Sequence, residues 1–191
     1  MILLGVLSGV LGLAILVVLL LIGLRNHLVR LKNQIANASG SIEVMLKKRH
    51  DLLPNLVSAV QAFMSHEREL IQKVTELRTT ALKPNLPASE RMRAEGEISR
   101  ALSGILVAVE NYPQLKSDGT VLRLQASLNE TEEQLSAARR FYNSAVTEFN
   151  TAIQVFPSSL VASKLGYRTH PLFEIAEAER AVPSIGALFA G

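Results

Sequence analysis

From Val121 the positions Leu124, Leu128, Thr131, Leu135, Ala138, Tyr142, Ala145, Phe149, Ala152 and Phe156 follow at alternating spacings of three and four, without a slip. Only a helical period returns such positions to one face, and a seam sustained this long must pack lengthwise on other helices. The pattern predicts a helix over 120–155, capped by Thr120 and stopped by Pro157. Leu28, Leu31, Ile35, Ala38, Ile42, Met45, Arg49, Leu52, Leu56, Ala59 and Phe63 keep the same alternation. Its phase is unchanged across Pro54, which predicts one long helix from residue 25 to about 82, kinked at the proline, rather than two helices. The breakers KPNLPAS (83–89) and NYPQLKSDG (111–119) bound a third helix, Ser89 to Glu110, with Met92, Ala101, Leu102, Ile105, Leu106 and Val109 as its buried face. No stretch alternates with period two, so the expectation is an all-α chain without β-sheet, an antiparallel bundle of long, coiled-coil-like helices. Past Pro157 the pattern weakens to a brief helix capped by Ser158 or Ser159 and reaching Leu165. Another follows from Pro171 to Ala181, and the tail packs back through Leu172, Phe173 and Ile185.

Ahead of the seams, residues 2–24 (ILLGVLSGVLGLAILVVLLLIGL) carry no charge and a single polar side chain, Ser8. At ~1.5 Å per residue the run is about 35 Å long, enough to cross a hydrocarbon core of about 30 Å with some tilt. A cleaved signal peptide fits poorly, because no basic segment precedes the run and no small-x-small cleavage site follows it. Arg25, Arg30 and Lys32 follow the run while only the α-amino group precedes it, which puts the N-terminus outside and the bundle in the cytoplasm. The expected organisation is an anchor over 1–24, a bundle over 25–160 and a tail over 161–191. The chain's pI of about 9.4 would suggest a polyanionic partner. However, residues 25–50 hold six Lys/Arg against Glu43 alone, whereas residues 51–191 are slightly acidic. Anionic lipid headgroups account for Arg25, Arg30 and Lys32, and the aromatic-basic pattern of single-strand or RNA binding is missing.

Chemistry is sparse. The chain has no cysteine, which excludes disulfides, thiol catalysis and Cys-type zinc sites. His27, His50, His66 and His170 lack a second ligand at helical spacing, since HEREL (66–70) puts Leu70 where HExxH needs histidine; all four read as helix-surface residues and no metal is expected. No GxSxG elbow, GxGxxG loop or Walker pattern occurs, so neither catalytic nor cofactor-binding residues are assigned, and the chain is not expected to be an enzyme. Two features remain. Gly5, Ser8, Gly9 and Gly12 form small-xxx-small pairs in the apolar run, a face on which lipid-embedded helices pack into a homo-oligomer. The segment KKRHDLLPNL puts Arg49 on a seam, where it needs a carboxylate partner or solvent, and Pro54 deprives the His50 carbonyl of its helical donor. Asn143 or Asn150, one heptad apart beside the second seam, could supply that donor.

RNHLVRLKNQI, IEVMLKKRHDLLPNLVSAV, ENYPQLKS and LQASLNETEEQLSAARRFYNSAVTEFNTAIQVFPSSLVASKLGY, in this order, resemble the LemA family of bacterial membrane proteins over nearly all of residues 25–185. The resemblance implies a single-pass anchor, a cytoplasmic helical bundle and no established enzymatic activity. It maps the family motif onto Arg49, Asp51, Pro54, Asn55, Tyr112, Pro113, Tyr142, Asn143, Asn150 and Pro157, taken as bundle-specifying residues. Ser39-Gly40 departs from it, since relatives often carry an aromatic there. The expected function is a membrane-anchored, homo-oligomeric scaffold or interaction protein that meets the bilayer and possible protein partners. The alternative is a sensing module that binds an anion at Lys47, Lys48 and Arg49.

Overall fold

The computed structural model describes residues 2–173. Among them are six helices and no strand: α1 (Ile2–Val60), α2 (Arg68–Ala81), α3 (Ala88–Val109), α4 (Pro113–Lys116), α5 (Gly119–Gln154) and α6 (Ser158–Lys164). Pro54 lies inside α1, as the unbroken phase required. The helix nevertheless ends at Val60 rather than running to residue 82. The next seam position after Phe63 is His66, so further turns would bury no apolar side chain there. The chain tightens instead: the amides of Phe63 and Met64 both bond the Val60 carbonyl, Met64 is fully buried and Phe63 is left 47% exposed.

The described residues divide into two compact units, 43–136 and the pair of segments 2–42 and 137–173. The unit of residues 43–136 is built on Leu53, Leu56, Val60, Met64, Ile98, Leu102, Ile105, Leu115 and Leu128. Each such side chain contributes about 1.5–3 kcal/mol by leaving water. α2 and α3 form a hairpin. Arg91 donates to the Lys83 carbonyl (3.4 Å) near its turn, and Leu70 lies against Gly104 at the far end. A Cβ on Gly104 would stand 3.2 Å from Leu70 Cδ2, so glycine allows the helices to approach closely. Ala94, Ile98, Ala101, Leu102, Ile105 and Val109 form the buried stripe of α3, while Met92, expected on it, is exposed ahead of it. The cap of α5 is Asp118 rather than Thr120, its Oδ1 accepting from the amides of Thr120 (2.7 Å) and Val121 (3.0 Å). Those two amide bonds hold its carboxyl below the usual range.

In the other unit, Leu31 and Ile35 of α1 pack with Ala145, Val146 and Phe149 of α5, with Tyr142, Ile153 and Tyr167 at the margin. Tyr142 lines a groove with Lys32, Ile35, Ala36 and Ser39, and Phe149 packs at 5.5 Å, tilted, against Tyr167, whose ring lies 5.2 Å from Lys32 Nζ. These contacts are consistent with α5 running opposite to α1 in this unit. Ser158 Oγ donates back to the Ala152 carbonyl of α5 at 2.6 Å and lies 3.0 Å from that of Val155, instead of capping α6. α6 ends in a Schellman motif: Gly166 takes φ 66°, its amide bonds the Ser163 carbonyl, and the Tyr167 amide bonds that of Ala162. Residues 171–173 are not helical, so the second short helix does not begin at Pro171; its remainder and Ile185 lie outside the described residues. Phe156, the last predicted seam position, falls beyond the end of α5 and is 79% exposed, and Leu172 is exposed as well. Among the described residues α1 alone is long and apolar enough to cross a membrane, and none of that apolar stretch is buried.

Candidate functional site

The main concentration of buried charge lies in the unit of residues 43–136, around Arg49. Arg49 is fully buried, the largest side chain among the described residues to be so. Its guanidinium reaches Glu95 of α3 through Nη2, which donates to Oε2 and to the Glu95 carbonyl (3.3 Å). Nη1 donates to Glu132 Oε1 of α5 (2.7 Å) and to Ser99 Oγ (2.7 Å). Ser99 stands one helical turn after Glu95, and its hydroxyl lies 2.9 Å from Glu132 Oε2 and 3.3 Å from the Glu95 carbonyl. With one proton to give, it serves the nearer, charged acceptor. The fork of one arginine thus binds three helices through two carboxylates, the partners its seam position demands.

His50 is not a surface histidine. It is 5% exposed, and its Nε2 donates to Glu95 Oε1 at 2.9 Å. Glu95, 3% exposed, holds Arg49 with one oxygen and His50 with the other. Burial alone would raise its pKa, but the His50 hydrogen bond and the Arg49 charge outweigh it and hold the carboxyl below the usual glutamate range. Arg49 Nε and His50 Nδ1 are buried without a hydrogen-bond partner among the described residues. The His50 carbonyl does receive a donor, at 2.9 Å, and that donor is Arg78 Nε of α2 rather than Asn143 or Asn150. Pro54 has no amide to offer this carbonyl, and the side chain of a second helix supplies the donor.

The other cations of the opening segment are also engaged. Lys47 pairs with Asp51 at 2.6 Å and Lys48 with Glu130 at 3.7 Å. The Lys47 hydrogen bond lowers the Asp51 pKa. Asn55 is exposed on α1. Tyr112 stands before Pro113 at the start of α4, and its hydroxyl donates at 2.5 Å to Glu67, in the α1–α2 connection, which raises the tyrosine pKa.

The remaining motif residues belong to the other unit. Asn143 and Asn150 each form a two-way amide clamp on the tail. Asn150 donates to the His170 carbonyl and accepts from its amide, both at 2.9 Å, and Asn143 does the same with Phe173 at 3.0 and 2.8 Å. Tyr142 adds a T-shaped contact with Phe173, ring centroids 4.7 Å apart, and its hydroxyl donates to the Pro171 carbonyl at 3.3 Å. Pro157 joins α5 to α6 through a cis peptide bond. Beside Tyr142 lies an open groove of about 320 Å³, lined also by Lys32, Ile35, Ser39 and His170. A Cβ on Gly40 would meet nothing within 4 Å. Of the Ser39-Gly40 pair, Ser39 lines the groove and Gly40 is exposed. No group of three or more His, Asp or Glu residues suited to a metal ion occurs among the described residues.

The sequence that builds these contacts is similar to known proteins. The profile of the LemA family matches residues 38–186, which include Arg49, His50, Glu95, Glu132 and both asparagine clamps. The chain belongs to the LemA family. Protein LemA of Metamycoplasma hominis is 27% identical over 159 residues, covering 83% of this chain and 73% of that protein. Magnetosome protein MamQ 2 of Paramagnetospirillum magneticum is 24% identical over 69% of this chain, and magnetosome protein MamQ of Magnetospirillum gryphiswaldense 22% identical over 67%. The matches span 58% and 56% of those two magnetosome proteins.

Glu95, Ser99, Glu132 and Arg78 were not singled out from the sequence. Glu95 carried a readable signal: between Ala94 and Ile98 it is a charge within an apolar stripe, the complement of Arg49 on its own seam. Glu132 and Arg78, both half-buried, stand in sequence among exposed charges and carried none.

Proposed function

We propose that this LemA family member is a membrane-anchored, non-enzymatic scaffold that self-associates through its apolar segment, with the N-terminus outside and the helical units in the cytoplasm. The observation that carries the reading is α1 itself. One helix begins as an unburied apolar run long enough to span a bilayer and continues, without interruption, into residues that pack in both helical units. The polar cluster around Arg49 supports a structural role, because its carboxylates are directed at one another's cationic partners inside the core. Anion sensing at Lys47, Lys48 and Arg49 is the less favoured reading. Each of the three cations already faces a carboxylate, and an incoming anion would have to displace it.

Self-association is assigned to Gly5, Ser8, Gly9 and Gly12. A Cβ at Gly9 or Gly12 would meet nothing within 4 Å, so Gly9→Leu leaves the protomer's own packing intact while blocking close approach of a second helix. Native mass determination in lipid nanodiscs tests this. The full chain is expected as an oligomer, and both Gly9→Leu and a variant lacking residues 1–24 as assemblies of fewer copies; the same number of copies in all three would remove the span as the contact. Bilayer partnership and orientation are tested by protease accessibility of the 143–173 segment in inverted against right-side-out vesicles.

A further inference from the structure

Large apolar side chains cluster where α5 turns into α6: Val155 is 49% exposed, Phe156 79% and Leu160 61%. Three exposed residues of this size within six positions, in a unit that buries Leu28, Leu31 and Phe149 efficiently, are not accounted for by that unit's own packing. Their height along α1 follows from the packing. Tyr142 shares a groove with residues 32–39 of α1, and Phe149, through Tyr167, faces Lys32. With α5 antiparallel to α1 and the rise per residue the same, seven residues beyond Phe149 correspond to about seven before Lys32, which brings Phe156 level with about residue 25. The apolar run ends at Leu24. Exposed cations share this level and its margin: Arg25 and Arg30 on α1, and Lys164, one turn beyond Leu160 on α6.

We propose that the α5–α6 corner is a second membrane contact, in which Val155, Phe156 and Leu160 enter the headgroup and acyl boundary of the same leaflet from which α1 emerges, with Arg25, Arg30 and Lys164 meeting anionic headgroups. This rests on the anchoring reading above and adds to it a wedge remote in sequence from the span. Apolar side chains with flanking cations are the chemistry of interfacial binding. The contact fixes the tilt and rotation of α1 at the surface, which a single span leaves free.

The chain contains no tryptophan, so single-tryptophan variants of the full protein report directly. Leu13→Trp probes the span, Phe156→Trp the corner, and Phe141→Trp, 55% exposed on α5 and about 20 Å from the end of that helix, is the reference. Each is placed in nanodiscs of phosphatidylcholine and phosphatidylglycerol with or without brominated acyl chains. At an interfacial depth of about 5–10 Å, Phe156→Trp is expected to emit to the blue of Phe141→Trp and to lose roughly half its intensity to bromine, while Phe141→Trp loses none. Quenching of Leu13→Trp without quenching of Phe156→Trp overturns the wedge and leaves the anchor standing. Failure of both removes the anchor and the wedge together. A blue-shifted but unquenched Phe156→Trp means that protein, such as a second copy, covers the corner, and equal quenching at 141 and 156 means the helix lies flat; either result overturns the proposal. Leu160→Trp repeats the test from α6.

Discussion

Replacing Arg49 with methionine keeps an apolar stem of similar reach and removes the guanidinium from between Glu95 and Glu132. The two carboxylates then have different fates. Glu132 is 29% exposed and hydrates, so its share of the loss is about 0–1 kcal/mol, the range of exposed pairs. Glu95 is 4% exposed in its side chain and retains only His50, so most of the cost is a buried carboxylate that has lost its main cation, about 3–5 kcal/mol. In a unit of this size each kcal/mol corresponds to roughly 4–8 °C in melting temperature. The penalty has a definite pH dependence. Glu95 in the native protein has a pKa below its ordinary 4.5, so its contribution is present above that value and disappears as pH falls through the native pKa. Without Arg49 the carboxyl protonates more readily, and the gap between native and variant therefore narrows on acidification. Urea unfolding of the detergent-solubilised full chain, followed by helical circular dichroism, is expected to give the full deficit near pH 7 and a smaller one near pH 4. Glu95→Met on top of Arg49→Met should cost at least about 2 kcal/mol less than the two single losses combined. Additivity within about 0.5 kcal/mol, or a deficit that does not change with pH, would refute the pairing of Arg49 with Glu95 as the source of the stability.

Arg78→Ala leaves the His50 carbonyl without a donor and is expected to cost about 1–3 kcal/mol, and Pro54→Ala, which restores the helical amide, should recover part of this in the Arg78→Ala background while giving less in the native one. Equal effects of Pro54→Ala in both backgrounds would show that the carbonyl was not what Arg78 served. Asn150→Ala removes both hydrogen bonds to His170 and Asn143→Ala both to Phe173; each should cost about 1–3 kcal/mol of local stability, read as faster amide hydrogen exchange in the 167–173 peptide with residues 98–105 unchanged. Unchanged exchange in that peptide would mean that ring contacts alone hold the tail. Asn150→Asp retains the acceptor and loses the donor, so its effect should fall between those of the native protein and Asn150→Ala.

Apolar periodicity gave reliable access to the helices and poor access to the polar contacts among them, for a physical reason visible at individual residues. Leu28, Leu31, Ile35, Leu128, Leu135 and Phe149 are buried because a seam position is a statement about one helix's own period, and the helix repeats it turn after turn. The ends of that repeat depend on something else. α1 stops at Val60 because the seam would next bring in His66, and Phe156 is exposed because α5 ends two residues before it. Partner choice is less local still. That Arg49 needed a carboxylate followed from the cost of burying a charge, but which carboxylate depends on how α3 and α5 are placed against α1, and no single-helix pattern contains that. The donor for the His50 carbonyl illustrates the same limit, since Asn143 and Asn150 had the right chemistry and Arg78 had the right position. Those asparagines, freed from that role, clamp a tail whose sequence has too little periodicity to announce its path. Arg49, Asn143 and Asn150 make hydrogen bonds that require one arrangement of the elements they join, where the apolar seams alone would allow others. Their loss should first be felt as loss of a unique packing, with helix content largely retained.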